Sequence, residues 1–245
     1  MTKVPEDMSM SGNSTIQPRR RIARIAGLLY LLQMATGILG FYTHGQLIVP
    51  GDAVRTAKSI LASEWLFRIG TVSNLVTALV VVILTWMLYA ILRPVSRDGA
   101  LLASFLRLVE NAIAAAAIFT DFLALRLLHD AGSLQGFDAT QAQALARILI
   151  SGSGTGLQVA FVFLGAGSAV FSYLWFTSRL IPRFLAGWGI FSSVVLAMIT
   201  LAVMIFPGLG RPLTPGYMIP MFIYEVGLGL WLLVKGLPIQ WPVRS

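Results

Sequence analysis

The sequence predicts an all-α, polytopic integral membrane protein: a bundle of six transmembrane helices, with short amphipathic surface helices in the first and third connections. Three observations carry that prediction. Of 245 residues, 57% are hydrophobic and only 11% are charged, where soluble domains carry about 25% charged residues. Mean hydropathy is +0.80. Several apolar runs reach the roughly 20 residues that a helix needs to cross a hydrocarbon core about 30 Å thick. Together these exclude a water-soluble globular domain. Cysteine is absent, which removes disulfides, thiolate metal sites and thiol nucleophiles, and no cofactor or metal is expected. The net charge of +8 has no nucleic-acid motif beside it, and aromatic residues sit inside apolar runs rather than between basic ones. The charge therefore reads as topology, and no nucleic-acid partner is expected.

In chain order, residues 1–20, with Pro5, Gly12, Pro18 and several Ser, lack an apolar period and are expected as a disordered tail. The basic cluster Arg19, Arg20, Arg21 and Arg24 precedes an apolar stretch from Ile25 to Tyr42. That run is long for a signal peptide, and the following Thr43-His44-Gly45-Gln46 offers no small-residue cleavage site. It reads as an uncleaved first span. Five more follow at Trp65 to Leu92, Gly99 to Leu127, Gly154 to Thr177, Phe184 to Phe206 and Gly216 to Val234. Pro94, Pro182 and the Pro207 to Pro215 segment separate successive spans as short turns, so sequential helices should pack as neighbours. The six-helix domain is expected over 21–238, with 239–245 as a second tail.

Two longer connections carry structure of their own. Between spans one and two, Ala53, Val54, Ala57, Ile60 and Leu61 recur at helical spacing beside Arg55 and Lys58, which describes an amphipathic helix at the membrane surface. Between spans three and four, Asp138 and Gln141 form a variant capping box that opens a second such helix through Ile150, before a break at Gly152. Both are expected on one side of the membrane.

Orientation follows from counting Lys and Arg by side. Eleven fall on the N-terminal side under a six-span alternation and five on the other, with Arg68 and Arg107 inside spans. This predicts a multi-pass protein of the cell membrane with both termini in the cytoplasm.

Four separated blocks add a resemblance. Leu47 to Gly70 reads LIVPGDAVRTAKSILASEWLFRIG, Leu88 to Glu110 reads LYAILRPVSRDGALLASFLRLVE, Ser178 to Phe184 reads SRLIPRF, and Leu230 to Gly236 reads LWLLVKG. In this order they resemble the bacterial family called domain of unknown function 4386, small multi-helix membrane proteins. The resemblance implies fold and location and brings no established chemistry.

Functional expectations therefore rest on ionisable groups inside spans. Each costs about 2.5 to 3.5 kcal/mol at mid-membrane unless paired or hydrated. At about 100° per residue, Arg107, Glu110, Asn111 and Asp121 share one stripe of span three. That stripe cannot face lipid, so span three is expected to be central. Depth along each helix predicts an inner cluster of Arg107, Glu110 and Glu225, and an outer polar layer of Glu64, Arg68 and Asp121 in which Arg68 pairs with Asp121. Two readings of the inner cluster stand side by side: ion pairs that fix helix register, and a ligand site. Two carboxylates against one guanidinium leave one carboxyl to be protonated or to bind a cation, which favours the second.

Other signals are weaker. Ser151-Gly152-Ser153-Gly154-Thr155-Gly156 lacks the Lys and the preceding strand of a phosphate loop, and Gly152 with Gly156 fits a close helix contact instead. His44 and His129 read as imidazoles at the outer surface, and Trp65, Trp175, Trp188 and Trp231 as an interfacial belt. The leading functional expectation is that membrane lipids surround the bundle while its interior binds an amphiphilic, lipid-like small molecule at Arg107, Glu110, Asn111 and Glu225. The alternatives are a membrane-embedded acid/base enzyme acting on an isoprenoid-like substrate, a small transporter with a helix broken at Pro220, and a purely structural subunit.

Overall fold

The computed structural model describes residues 11–49, 51–130, 138–209 and 216–237. They form α1 (Ser11–Leu47), α2 (Ala53–Ala62), α3 (Glu64–Leu92), α4 (Arg97–Asp130), α5 (Ala139–Ser178), α6 (Arg183–Ile205) and α7 (Ile219–Val234). All except α2 contribute a segment long and apolar enough to cross a membrane, six in total, the last being Gly216–Val234. The bundle is inside out relative to a soluble protein. Leu28, Leu79, Phe105, Phe119 and Met198 are each more than half exposed, on the faces that meet lipid, while the polar side chains of the spans turn inward.

The six long helices form a closed ring. Each packs on its predecessor, as the short turns predict, and α7 returns to pack on α1. Here the structure corrects the expectation that span three is central. Within this ring α4 is one wall among six, and its polar stripe is hidden by facing the enclosed interior, which satisfies the same constraint without a central helix. Closure depends on Gly27 of α1: a Cβ there would lie 2.5 Å from Leu233 N and 2.6 Å from Gly229 O of α7. Only a glycine lets these two backbones approach so closely.

Side chains fill the ring in layers. At the end where α1 enters, Ala23, Ala26, Leu88, Leu92, Trp175 and Leu232 belong to one apolar cluster. At the other end Leu47, Ile60, Phe67, Leu128 and Ile150 belong to a second. Trp175 is fully buried in the first cluster, so it is core rather than part of an interfacial belt. Trp188 donates from Nε1 to the Pro220 carbonyl at 3.0 Å, tying α6 to α7. Pro220 itself occupies the first turn of α7, where a missing N–H costs nothing, and the helix is unbroken.

Of the connecting helices, α2 matches the expectation. Asp52 caps it by accepting from Arg55 N at 2.9 Å, and Thr56, Ala57 and Ile60 form its buried face. The capping box at Asp138 is present as well: Asp138 Oδ1 accepts from Gln141 N at 2.7 Å, and Gln141 Oε1 from Asp138 N at 3.2 Å. The helix it opens does not stop at Gly152. It runs through to Ser178, 40 residues in all, or about 60 Å. Ala146 and Ile150 pack in the same cluster as Ala57 and Ile60 of α2, so both surface segments do share one side. Each interior glycine costs about 1 kcal/mol of helix propensity; packing of this long helix along α4 outweighs it, and a Cβ added on Gly156 would lie 3.6 Å from Ala117 Cβ of that helix. At the N-terminus, α1 begins at Ser11, so the second half of the expected tail continues the helix of the first span, as cheap propagation from an existing helix permits. Residues 1–10 and 239–245 lie outside the described residues.

The close α1–α7 seam is testable. Gly27→Ala is expected to cost about 1 to 3 kcal/mol by overpacking, whereas Gly45→Ala, where a Cβ meets nothing, should be neutral or gain up to about 1 kcal/mol of helix propensity. Thermal unfolding of the purified protein in one detergent compares them, and equal midpoints would contradict the seam.

Candidate functional site

Between the two apolar clusters lies a polar layer. Arg107, Glu110 and Glu225 are each less than one-tenth exposed. Arg107 Nη1 stands 3.2 Å from Glu110 Oε2, an ion pair made one turn apart on α4. The two atoms lack the alignment of a hydrogen bond, so attraction of charge rather than directional bonding holds them. Space for the guanidinium stem comes from α5, where a Cβ on Gly167 would sit 3.1 Å from Arg107 Cγ.

Glu225 approaches from α7 and makes no direct ion pair with Arg107 among the described residues. Its Oε2 accepts from Gln33 Nε2 of α1 at 3.2 Å. The charges of Arg107, Glu110 and Glu225 nevertheless act on one another across the layer, and those of Arg107 and Glu225 on the buried Tyr30 hydroxyl. Beside them Ser172 donates to Tyr224 Oη at 2.8 Å. The expected inner cluster is therefore assembled from α4 and α7, with α1 as an unforeseen third contributor. Asn111 leaves it: its Nδ2 donates to the Ala78 carbonyl at 3.0 Å, which commits the amide to the α3–α4 seam.

Gln33 is the residue that sequence reasoning missed. An amide in the middle of an apolar span costs about 2 kcal/mol or more unless it is hydrogen-bonded, less than a charge but well above its apolar neighbours, and that anomaly, three residues beyond Tyr30 on the same helix face, is its signal. Gln33 Oε1 is buried and has no hydrogen-bond partner among the described residues.

The layer opens sideways. A groove of about 360 Å3 runs between α1, α5, α6 and α7, walled by Met34, Gly37, Phe161, Leu196 and Met221, and Glu225 is the one ionisable residue lining it. Phe41 and Ile219 at its rim are more than half exposed on the lipid-facing side.

The outer layer differs from expectation in its pairing. Arg68 does not meet Asp121. Glu64 accepts from Arg68 Nε through Oε1 and faces His129 Nε2 through Oε2, and Arg68 is half-exposed. Asp121 instead pairs with His44, whose Nε2 lies 3.4 Å from Asp121 Oδ2. His44 is thus no surface imidazole: its side chain is 14% exposed and its ring packs against Phe67 at 4.9 Å. Its Nδ1 donates to the Gly40 carbonyl at 3.0 Å, a carbonyl being able only to accept. The contact of Nε2 with the carboxylate is then attractive only when one proton lies between them.

A family model described as a domain of unknown function, DUF4386, matches residues 25–236. The chain belongs to the DUF4386 family. No curated protein and no solved structure matches it. The DUF4386 match contains every residue of both polar layers, from Gln33 to Glu225, and the site is therefore part of the family domain rather than of an appended tail.

Breaking a buried pair by removing one partner typically costs about 3 to 5 kcal/mol. Arg107→Met, which leaves Glu110 and Glu225 without their cation, should therefore abolish a monodisperse peak in size-exclusion chromatography or lower the thermal midpoint sharply. Adding Glu110→Gln to it should recover part of the loss, since the second change removes the uncompensated charge. A double variant as unstable as the single one would mean that the Arg107–Glu110 pair is not what holds the layer together.

Proposed function

We propose that this protein binds an amphiphilic, lipid-like small molecule, with the apolar part in the α1/α5/α6/α7 groove and the polar head against Glu225 and Gln33. The observation that carries this reading is the buried Glu225 carboxyl at the wall of an apolar groove that opens toward lipid. A volume of about 360 Å3 falls within the range of small-molecule sites, which are mostly apolar with a few placed polar groups. The chemistry of the head follows from what the layer lacks. Gln33 Oε1 is a buried acceptor without a donor, and two carboxylates face one guanidinium. A hydroxyl or ammonium group supplies donors to both, whereas a phosphate would bring more acceptors and more negative charge.

Glu225→Gln tests this. It keeps shape and hydrogen bonding while removing the carboxylate, and should leave the protein folded and monodisperse. Mass spectrometry after gentle extraction should find a recurrent non-bulk amphiphile with the wild type and at least about tenfold less with the variant, a loss of roughly 1.4 kcal/mol. Bulk phospholipid alone in both, or unchanged content in the variant, would assign the layer to holding helix register.

We place the protein in the cell membrane of a bacterium, with both termini cytoplasmic, on the strength of the eleven-to-five distribution of Lys and Arg. Reporter fusions at Gly12 and Ser245 should then be active only with a cytoplasmic reporter, and at His129 only with a periplasmic one. The opposite pattern at either end would invert the assignment.

A further inference from the structure

The charges of the inner layer do not close on themselves. Among the described residues it brings two carboxyls, Glu110 and Glu225, to one guanidinium, Arg107, all three less than one-tenth exposed. Glu110 is paired with Arg107 at 3.2 Å, whereas Glu225 accepts from the neutral Gln33 amide. The elements packed on α7 add no further charge at this depth: α1 brings Gln33 and the Tyr30 phenol, α6 the hydroxyls of Ser192 and Ser193, and α7 itself the Tyr224 phenol. Uncompensated charge in such an interior is costly, so the layer is neutral only while Glu225 holds one proton or one monovalent cation. Each excludes the other.

A neutral head bearing a hydroxyl would leave that proton in place, and the groove is better built for a cation. Phe41, Phe161 and Phe222 line it with Met34, Met218 and Met221 around the single carboxyl of Glu225. Aromatic faces attract a cation through their ring quadrupoles, and the Met side chains can adapt to the chain of a guest.

We infer that the head of the ligand is an alkylammonium whose binding to Glu225 displaces a proton, so that ligand and proton exchange at one carboxyl. The exchange rests on the amphiphile-binding reading above and narrows the head from hydroxyl or ammonium to ammonium. In it the carboxyl O–H bond breaks, the electron pair stays on the carboxylate, and the proton passes to water as the ammonium takes its place. The charge of the layer is unchanged. Through the pH range in which Glu225 is protonated, each unit of rising pH should therefore strengthen binding about tenfold, and the gain should end once the carboxyl is ionised.

The test mixes purified full-length protein, in a non-ionic detergent at low buffer strength, with decylammonium, which stays protonated as a lysine amine does, and follows released protons with an indicator dye. Decanol is the neutral counterpart of equal chain length. Wild type should release about one proton per decylammonium bound and none on binding decanol. Glu225→Gln and Glu110→Gln should each abolish the release and weaken decylammonium at least about tenfold, the second because Arg107 then neutralises Glu225. A hydrogen bond to Glu225 alone would predict no effect of Glu110→Gln. Binding of decanol but not decylammonium, decylammonium bound without proton release, or release that persists in both variants would each overturn the exchange and leave the amphiphile reading standing. Failure of both compounds to bind would overturn the two together. The wild-type proton count decides the matter even where a variant does not fold.

Discussion

A guanidinium placed within a lipid bilayer must be paired or hydrated and shielded from the hydrocarbon, and much of this bundle can be read as the enclosure of Arg107. Left facing hydrocarbon it would cost several kcal/mol even on the lenient insertion scales. Glu110, one turn away, supplies the counter-charge, but two ionised groups on one helix face still have to be covered. Five other helices do so by closing a ring with α4. The closing contact is a close backbone approach, with Gly27 against Gly229 and Leu233. A wider seam would admit lipid tails to the charged layer. Packing at that glycine and electrostatics at Arg107 are thus two parts of one requirement, although the residues sit on opposite walls of the ring.

The two apolar clusters determine how the layer can be reached. Toward the start of α1, Leu88, Trp175, Leu228 and Leu232 are nearly or fully buried and occupy the space along the axis. Toward the other end, Phe67 and Leu128 fill it, and the His44–Asp121 pair spans from α1 to α4 beside them. Among the described residues, apolar side chains flank the polar layer toward both ends of the bundle. The opening of that layer is lateral, through the groove at Glu225. A solute that enters by that way comes out of the bilayer, so lipid solubility is a condition of access before any recognition takes place.

What could be read in advance follows from the strength of each physical penalty. The six spans and the α2 face rest on burial of many apolar groups, and the Asp138–Gln141 cap on a local hydrogen-bond pattern; both are written in consecutive residues. Pairing of Arg107 with Glu110 is legible for the same reason, being a contact within one helix. Contacts across helices are not. Arg68 had two carboxylates near its depth along the spans, and the one on its own helix, Glu64, pairs with it, while Asp121 pairs with His44. Depth along the spans could not separate these outcomes, because it fixes height in the membrane and not position around the ring. Gly152 reads as a break from propensity alone, and the helix continues through it to Ser178. Gln33 escaped because an uncharged side chain was ranked below the ions, although its amide has the same need for partners.

Glu110 and Glu225 are not equivalent, and the difference bears on which of them can act. Glu110 is matched by Arg107, the only cation in the layer among the described residues, and withdrawing it from Arg107 would strand two charges. Glu225 is held by a neutral amide, which provides one donor for a group that can accept several. Its remaining acceptor capacity lies at the groove, on the residue that Gln33 donates to, and the Gln33 carbonyl oxygen is itself unpartnered among the described residues. Unsatisfied buried acceptors cost stability. A protein that required only helix register would gain by replacing Glu225 and Gln33 with two apolar side chains, since exchanging a buried polar pair for packed hydrophobic residues is often neutral or stabilising. Retaining a carboxylate there has a physical rationale when something else supplies the missing donors for part of the time.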